Sequence, residues 1–370
     1  MPIGFAIGDR MLSIAGDSHP FWNMAYGVLP PYQVLGASAI GKLHVAQGNT
    51  RDDAFVIRSA GPWLAVGVAD GVGSRPLSRY GAAYIADSLA IQLLRHFAPP
   101  VRAEENPAPR RKRRKSRRKT PAPPAPPEAP EPTPGATTLG PTGSVAWWMA
   151  SGQAKAMPIS SRQVSDAPEP ASADQPPDAL PPTLADIVHQ AFEKTHLGMK
   201  GYARYLDVDL SELSSTALAL LLNTQTGVGI AGQVGDGALL GVREDGSVGL
   251  LADLGEEEGF VHSITSSNWE THLVVGTEWG PPASLYRAYF VMTDGISSDL
   301  LYLPSEKMTD WIVKVEEGTK RYPCHQAHYA AGALLNWLAT YQVKGSFDDR
   351  TLVVITRRNG ADADGSSGAG

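Results

Sequence analysis

Between Pro99 and Pro182 stand twenty of the chain's thirty prolines, and this stretch decides how the remainder can fold. Proline lacks an amide donor and favours extended backbone, so the stretch supports neither a sheet nor a long helix. Residues 99–182 therefore read as a disordered insertion, with Val145–Ala150 (Val-Ala-Trp-Trp-Met-Ala) as the one apolar island. Folding falls to two blocks on either side, 30–98 and 183–358, and the Gly/Ser-rich tail 359–370 reads as disordered as well.

The insertion also distorts the charge balance. The formal charge of the 370 residues is −6, yet nine of the ten positions from Arg110 to Lys119 are basic. Taking those nine charges away leaves the rest of the chain at −15. A body this acidic has carboxylates to spare for holding cations. The basic run reads as a docking element for an acidic partner; no aromatic residue interleaves with it, so base stacking on nucleic acid is not indicated. A single cysteine, Cys324, precludes an intrachain disulfide and fits a reducing compartment. Met1–Asp17 shows no basic segment followed by a long apolar one, and no run approaches about eighteen apolar residues. The expectation is a soluble, cytoplasmic protein without a membrane span.

Both blocks alternate between strand and helix patterns. Strands are expected over residues 32–44, 54–59 and 63–69, the last stopped by Asp70-Gly71. Apolar residues at Tyr80, Ala83, Tyr84, Leu89, Leu93, Leu94 and Phe97 predict a helix over 79–97. The second block opens with a helix over 184–206 and continues with strands over 216–222, 227–234, 238–243, 272–276 and 286–293. Helices over 305–317 and 326–341 precede a last strand, 351–356. Hairpin-linked strands with helices in separate runs predict an α+β fold in layers and argue against a doubly wound parallel sheet.

One local pattern recurs: an apolar strand meeting an aspartate. Leu-Ala-Val-Gly-Val-Ala ends on Asp70, Tyr-Phe-Val-Met-Thr on Asp294, and Ile-Ala-Gly-Gln-Val-Gly on Asp236. Asp52 and Asp53 stand before Ala-Phe-Val-Ile, and Asp348 and Asp349 stand before the strand Thr-Leu-Val-Val-Ile. A carboxylate at a strand end projects from the rim of a sheet. Several gathered there repel one another unless a cation neutralises them, and such hard oxygen donors select Mg²⁺ or Mn²⁺. Any single Asp-Gly is more often a plain turn; the repeated placement is what points to a metal site.

These residues resemble the type 2C metal-dependent serine/threonine protein phosphatases, especially the compact bacterial kind, over about 35–97 and 183–357. The likeness lies in Gly41 and His44 leading to Asp52-Asp53-Ala54, Val-Ala-Asp-Gly-Val-Gly-Ser at 68–74, Ser-Ser-Thr-Ala at 214–217 with Val-Gly-Asp-Gly at 234–237, Met-Thr-Asp-Gly at 292–295, and Asp-Asp-Arg-Thr-Leu-Val-Val at 348–354. The resemblance implies a central β-sandwich of two antiparallel sheets flanked by helices. It implies that Asp70 bridges two Mn²⁺ or Mg²⁺ ions, that the Gly71 carbonyl helps bind one, and that Asp294 and Asp348 complete one site. Asp53 or Asp52 supports the other, and Asp236 with Asp299 matches the region of a third, weaker ion. The implied reaction is hydrolysis of phosphoserine or phosphothreonine in proteins, the targets of serine/threonine kinases, by metal-activated water without a phosphoenzyme. His44 is the candidate for phosphate binding or for the general acid. The chain departs from the family pattern at three places. Gly48 stands where many members carry a phosphate-gripping arginine, for which Arg51 or His44 would substitute; Asp70-Gly71 is not followed by histidine; and Asp349 replaces a frequent asparagine.

Rival readings fare worse. Gly36–Lys42 fits the first seven positions of a phosphate-binding loop, but Leu43 stands where Ser or Thr must hold Mg²⁺ and His-Val-Ala-Gln-Gly-Asn does not read as a helix start. Cys324 has Ala330, not arginine, six residues on, and Cys324, His325 and His328 lack a fourth zinc ligand. A metal-dependent nuclease would use clustered acids and the basic run but not these ordered motifs. The nearest alternative is a catalytically weak, phosphoprotein-binding or regulatory relative with the same fold.

Overall fold

The computed structural model describes residues 3–7, 10–14, 21–97, 157–158, 182–252, 262–281, 286–301, 303, 305–341 and 347–358. The chain divides into two units, and all of these residues belong to the one made of Met1–Pro99 and Ala156–Gly370. The other, Pro100–Lys155, with its basic run, lies outside the described residues, as does the tail 359–370.

The first elements are β1 (Ile3–Ile7), β2 (Arg10–Ile14), β3 (Trp22–Leu29), β4 (Tyr32–Ala39), the short helix α1 (Lys42–Gln47), β5 (Ala54–Ala60), β6 (Trp63–Ala69) and α2 (Ser78–Leu94). After β7 (Met157–Pro158) come α3 (Leu184–Leu206), β8 (Ala217–Asn223), β9 (Gly229–Val234), β10 (Ala238–Arg243), β11 (Val248–Leu250) and β12 (Val274–Val275). β13 (Tyr286–Met292), α4 (Asp294–Leu301), α5 (Ser305–Lys320), α6 (Ala327–Thr340) and β14 (Arg350–Arg357) follow.

β1 and β2 pair as a hairpin, and the other strands form two sheets. Seven run in the order β11-β10-β13-β14-β4-β3-β7 and five in the order β12-β9-β8-β6-β5. Pairing is antiparallel except where β7 lies parallel to β3. Period-two alternation explains how the sheets stack. On β8, Leu218, Leu220 and Leu222 face the core between the sheets, together with Val66 and Val68 of β6 and Val353 and Ile355 of β14. Ala217, Ala219 and Leu221 point the other way and meet Ile85, Leu89, Phe192 and Met199 of α2 and α3. On the far side, Leu352 and Val354 turn outward to Ile296, Ile312, Leu334 and Leu338 of α4, α5 and α6. The result is a helix–sheet–sheet–helix sandwich, the α+β layering expected from the sequence. Gly67 shows how tightly the layers close: a Cβ there would stand 2.2 Å from the Ala86 carbonyl oxygen of α2.

Local signals set several boundaries. Thr183 caps α3 by accepting the Asp186 amide at 3.2 Å, while the Asp186 carboxylate accepts the Thr183 amide at 2.9 Å. Four expectations need correction. The folded unit starts before residue 30, because β3 pairs with β4 along its whole length. The proline-rich segment does contribute a strand, since Met157 and Pro158 pair with Ala25 and Tyr26; Pro158 sits at the sheet edge, where its missing donor costs least. The strand expected over 32–44 stops at Ala39, and Lys42–Gln47 forms a helix instead. Most of 272–276 is not strand either: a 3₁₀ turn, Trp269–His272, precedes the two residues of β12.

Candidate active site

The strand register brings the aspartates together at one end of the sandwich. Ala54 pairs with Ala69, so Asp53 and Asp70 each stand one residue beyond the last pair of β5 and β6. Ala238 pairs with Met292, which sets the Val-Gly-Asp-Gly turn carrying Asp236 beside Thr293 and Asp294. Arg350 pairs with Ala39, which brings Asp348 and Asp349 to the point where β4 runs into α1. Five segments of the chain thus deliver their acids to one rim.

Asp53 lies deepest, at 0 % exposure. Its Oδ2 accepts hydrogen bonds from Thr293 Oγ1 at 2.8 Å and Thr351 Oγ1 at 2.7 Å, so an acid carried by one sheet is gripped by the other. Asp70 is fixed through its backbone: its amide donates to Thr216 Oγ1 at 2.9 Å and its carbonyl accepts the Thr216 amide at 2.8 Å. Gly71 packs so that a Cβ would meet the Asp52 carbonyl oxygen and Ser78 at 3.0 Å. Carboxylate oxygens of Asp70, Asp236 and Asp294 all lie within 4.8 Å of one another. Asp348, exposed at the mouth, accepts the Asp349 amide at 2.8 Å.

The electrostatics of this cluster are unfavourable without a counter-charge. Burial, and then the charges of Asp53 and Asp294, push the Asp70 carboxyl well above its ordinary range. Burial followed by Asp349 raises Asp53, and burial followed by Asp236 and Asp348 raises Asp294. Asp236 is raised by burial, with Asp348 adding to it. Oδ1 of Asp53, Asp236 and Asp294 is buried in each case without a hydrogen-bond partner. Buried acceptors left unpaired, on acids that repel one another, fit divalent cations with oxygen donors.

A second group stands beside the first. The ring Nδ1 of His44 lies 3.0 Å from Asp349 Oδ1, and its Nε2 lies 3.8 Å from Asp52 Oδ2. Asp349 raises the imidazole to about 9 against the opposing effect of burial, so His44 carries its proton at neutral pH. Burial lifts Asp52 to about 6, offset in part by His44. Asp349, only 1 % exposed, accepts four donors: the amides of Gly41 at 2.6 Å, Asp52 at 2.5 Å and Asp53 at 3.4 Å, and the His44 ring. With both oxygens occupied, Asp349 is a structural knot and not an open metal ligand. Sequence reasoning counts it among the strand-end acids and as the replacement of a frequent asparagine, but assigns it no role. The available signal was an extra acid directly before a strand that reads as wholly buried.

Two sequence-based assignments do not fit. Arg51 is 2 % exposed, beneath Asp52, Asp53 and Asp349, so its guanidinium serves as a fixed charge under the acids and is not available to grip phosphate. Asp299 does not join Asp236: its charge acts on Arg350 and Tyr341, whereas Asp236 groups with Asp70 and Asp294. Sequence reasoning also missed Thr216, Thr293 and Thr351, whose hydroxyls and backbone hold the acids in place.

A family model for protein phosphatase 2C matches residues 40–339, from the threshold of α1 into α6. The chain belongs to the protein phosphatase 2C family. That makes it a metal-dependent serine/threonine phosphatase by family, with the acids of its rim where the strand ends converge. Several solved structures are similar. The S. agalactiae serine/threonine phosphatase shows 10% identity over 91% of this chain and 99% of its own, at a TM-score of 0.42. The catalytic domain of the serine/threonine phosphatase PstP, in complex with two manganese ions, shows 10% identity over 89% and 99%, at 0.41. A C. elegans sex-determining protein shows 12% identity over 89% of this chain but 66% of its own, at 0.47. A search of curated protein sequences finds no match. None of the described helices is long and apolar enough to cross a membrane.

Proposed function

We propose that this chain hydrolyses phosphoserine and phosphothreonine in proteins at the rim built by Asp53, Asp70, Asp236, Asp294 and Asp348. The observation that carries the reading is the set of mutually repelling buried carboxylates with unpaired oxygens, a state that a cation relieves. Asp70, the Gly71 carbonyl, Asp294 and Asp348 would hold one divalent ion and Asp53 with Asp70 a second; Asp236 would serve either the first or a weaker third. Bound there, Mn²⁺ or Mg²⁺ supplies a nucleophilic water at neutral pH and offsets charge on the phosphoryl oxygens.

The protein's own groups supply the rest. His44, protonated and held at Nδ1 by Asp349, has its Nε2 3.8 Å from Asp52 Oδ2. The Nε2 proton would go to the departing serine or threonine oxygen, an alkoxide too basic to leave unprotonated. Gly73 lies beside the ring, where a Cβ would stand in ordinary contact, 3.9 Å from Nε2. Asp52 lies on the same side and restrains the ring. The Thr293 and Thr351 hydroxyls lock Asp53 so that little reorganisation of that acid accompanies reaction. The partners are phosphoproteins, targets of serine/threonine kinases, and the basic run 110–119 serves to dock an acidic one.

The test is hydrolysis of a phosphothreonine peptide with and without Mn²⁺, in the parent, Asp70→Asn and Asp294→Asn. Metal-dependent turnover lost in both variants supports the reading. A folded parent inactive with every divalent ion, on peptide and aryl phosphate alike, leaves only a binding role.

A further inference from the structure

α1 is an unusual helix to find beside a catalytic centre, because only one of its six residues, His44, is buried. Leu43 and Val45 flank that histidine on either side, since each step along a helix turns by about 100°. They are 49 % and 50 % exposed. The Leu43 amide donates to the Phe347 carbonyl at 3.0 Å, and Phe347, which directly precedes Asp348, is 55 % exposed. Isolated exposed apolar side chains are ordinary. Here two of them neighbour His44 along α1 and the third directly precedes Asp348, and the ligating atoms of His44 and Asp348 lie within 4.8 Å of each other. The helix does not need them for its own stability, because Asp349 and the Phe347 carbonyl hold it through the Gly41 and Leu43 amides.

We infer that Leu43, Val45 and Phe347 form a specificity rim that binds the substrate polypeptide through large apolar residues next to the phosphorylated serine or threonine. The inference rests on the phosphatase reading, because the site itself dictates the occupant. A phosphoryl group delivered to His44 and Asp348 carries its chain across α1 and Phe347. At about 3.3 Å per residue, positions one or two away from the phosphoresidue pass over these side chains. Lys42 is the one charge among the exposed positions of α1, which are otherwise Leu43, Val45, Ala46 and Gln47, so apolar contact is what this surface mainly offers a flank.

The experiment compares two phosphothreonine peptides that differ only in carrying leucine or glutamine at the flanking positions, with p-nitrophenyl phosphate as a substrate that has no flanks. The enzymes are the parent, Leu43→Gln and the triple variant Leu43→Ser/Val45→Ser/Phe347→Ser, each checked by its melting temperature. The expected result is a preference of about 10-fold in kcat/KM for the leucine peptide, the scale that contact with one or two apolar side chains supplies. The preference should shrink in Leu43→Gln and vanish in the triple variant, with a much smaller change on the aryl phosphate. A parent without preference, or a triple variant that keeps it, overturns the inference. So does light scattering that shows a dimer dissolved by the triple variant, because the patch would then belong to a second copy. A parent that turns over no phosphate ester at all is a different failure, that of the phosphatase reading beneath it.

Discussion

Buried acids occur in two regions of this sandwich, and the two are treated in opposite ways. On the outer face of the seven-stranded sheet, Glu316 of α5 is 2 % exposed and meets Arg287 of β13 twice, at 3.1 and 3.0 Å, and Lys320 one helical turn on. Burial pushes its pKa up, but hydrogen bonds from Arg287 and Lys320 overcome this and hold it below the ordinary range. At the rim, Asp53, Asp70 and Asp294 face one another, Asp53 also meeting the Thr293 and Thr351 hydroxyls, and their pKa values go up. An acid needed only for architecture is given its cations by the chain. The acids of the rim are left short of them, and in the proposed reading cations from solution would complete the set.

The sharpest way to break this comparison is to neutralise one acid in the rim. Asp294→Asn should lower phosphatase kcat/KM by about 10³-fold or more, the scale of removing a preorganised electrostatic group. In EDTA the same variant should melt about 2–4 °C higher, because a repelling charge is gone. A metal-free melting point that falls instead would mean that the cluster is already satisfied by the protein.

Asp349→Asn comes next. The amide cannot accept all four donors, so α1 and the Asp52–Asp53 turn loosen together and His44 loses its anionic partner. Turnover of a phosphothreonine peptide should fall by about 10²-fold, the usual worth of a general acid. Turnover of p-nitrophenyl phosphate should fall far less, because its leaving group departs without a proton. Equal losses on both substrates would assign Asp349 to folding alone.

What sequence could and could not reveal follows from the range of the forces involved. Asp70, Asp236 and Asp294 are legible because each ends an apolar run, and the run of β6 reads as a strand that Asp70-Gly71 stops. The helix α1 was not legible: its six residues hold their shape through contacts with Asp349 and Phe347, some 300 positions away in sequence. The same holds for Asp349, whose role exists only once the Gly41–His44 segment and the Asp52–Asp53 turn converge on it. Arg51 looked like a phosphate ligand because burial cannot be read from a loop next to two aspartates. The satisfied acid shows the same division. Lys320 follows Glu316 by four residues and is visible as a helical pair, whereas Arg287 comes from a different strand.

Glu316→Gln tests the satisfied region with a milder effect. Removing the anion strands two cations that are partly exposed, so the loss should be about 2 kcal/mol in a urea titration, below the value for a fully buried pair. Peptide turnover under saturating Mn²⁺ should hardly change. A loss of activity comparable to that of Asp349→Asn would show that the two regions are coupled.

The smallest expected effect is a slope of stability against pH, and there the two regions pull in opposite directions. The rim acids have folded-state pKa values above the unfolded value of about 3.9. Below that value their contribution is fully present, and it is lost as pH rises through the folded values, about 6 for Asp52. His44 has the same sign, present below its ordinary value of about 6.5 and lost as pH rises through about 9. Glu316 has the opposite sign: its contribution is present above about 4.3 and lost as pH falls through its lowered folded value. Metal-free protein should therefore melt higher as pH drops from about 9 toward 5, and turn down only under more acid conditions. Each proton taken up by the folded state sets a limit of about 1.4 kcal/mol per pH unit on that slope. Saturating Mn²⁺ should flatten the alkaline limb, because the cations take over the neutralisation that protons otherwise provide, and leave the acid limb of Glu316 in place. Calorimetry across this range, with EDTA and with Mn²⁺, separates the limbs. An alkaline limb that is flat without metal would erase the distinction between the two regions.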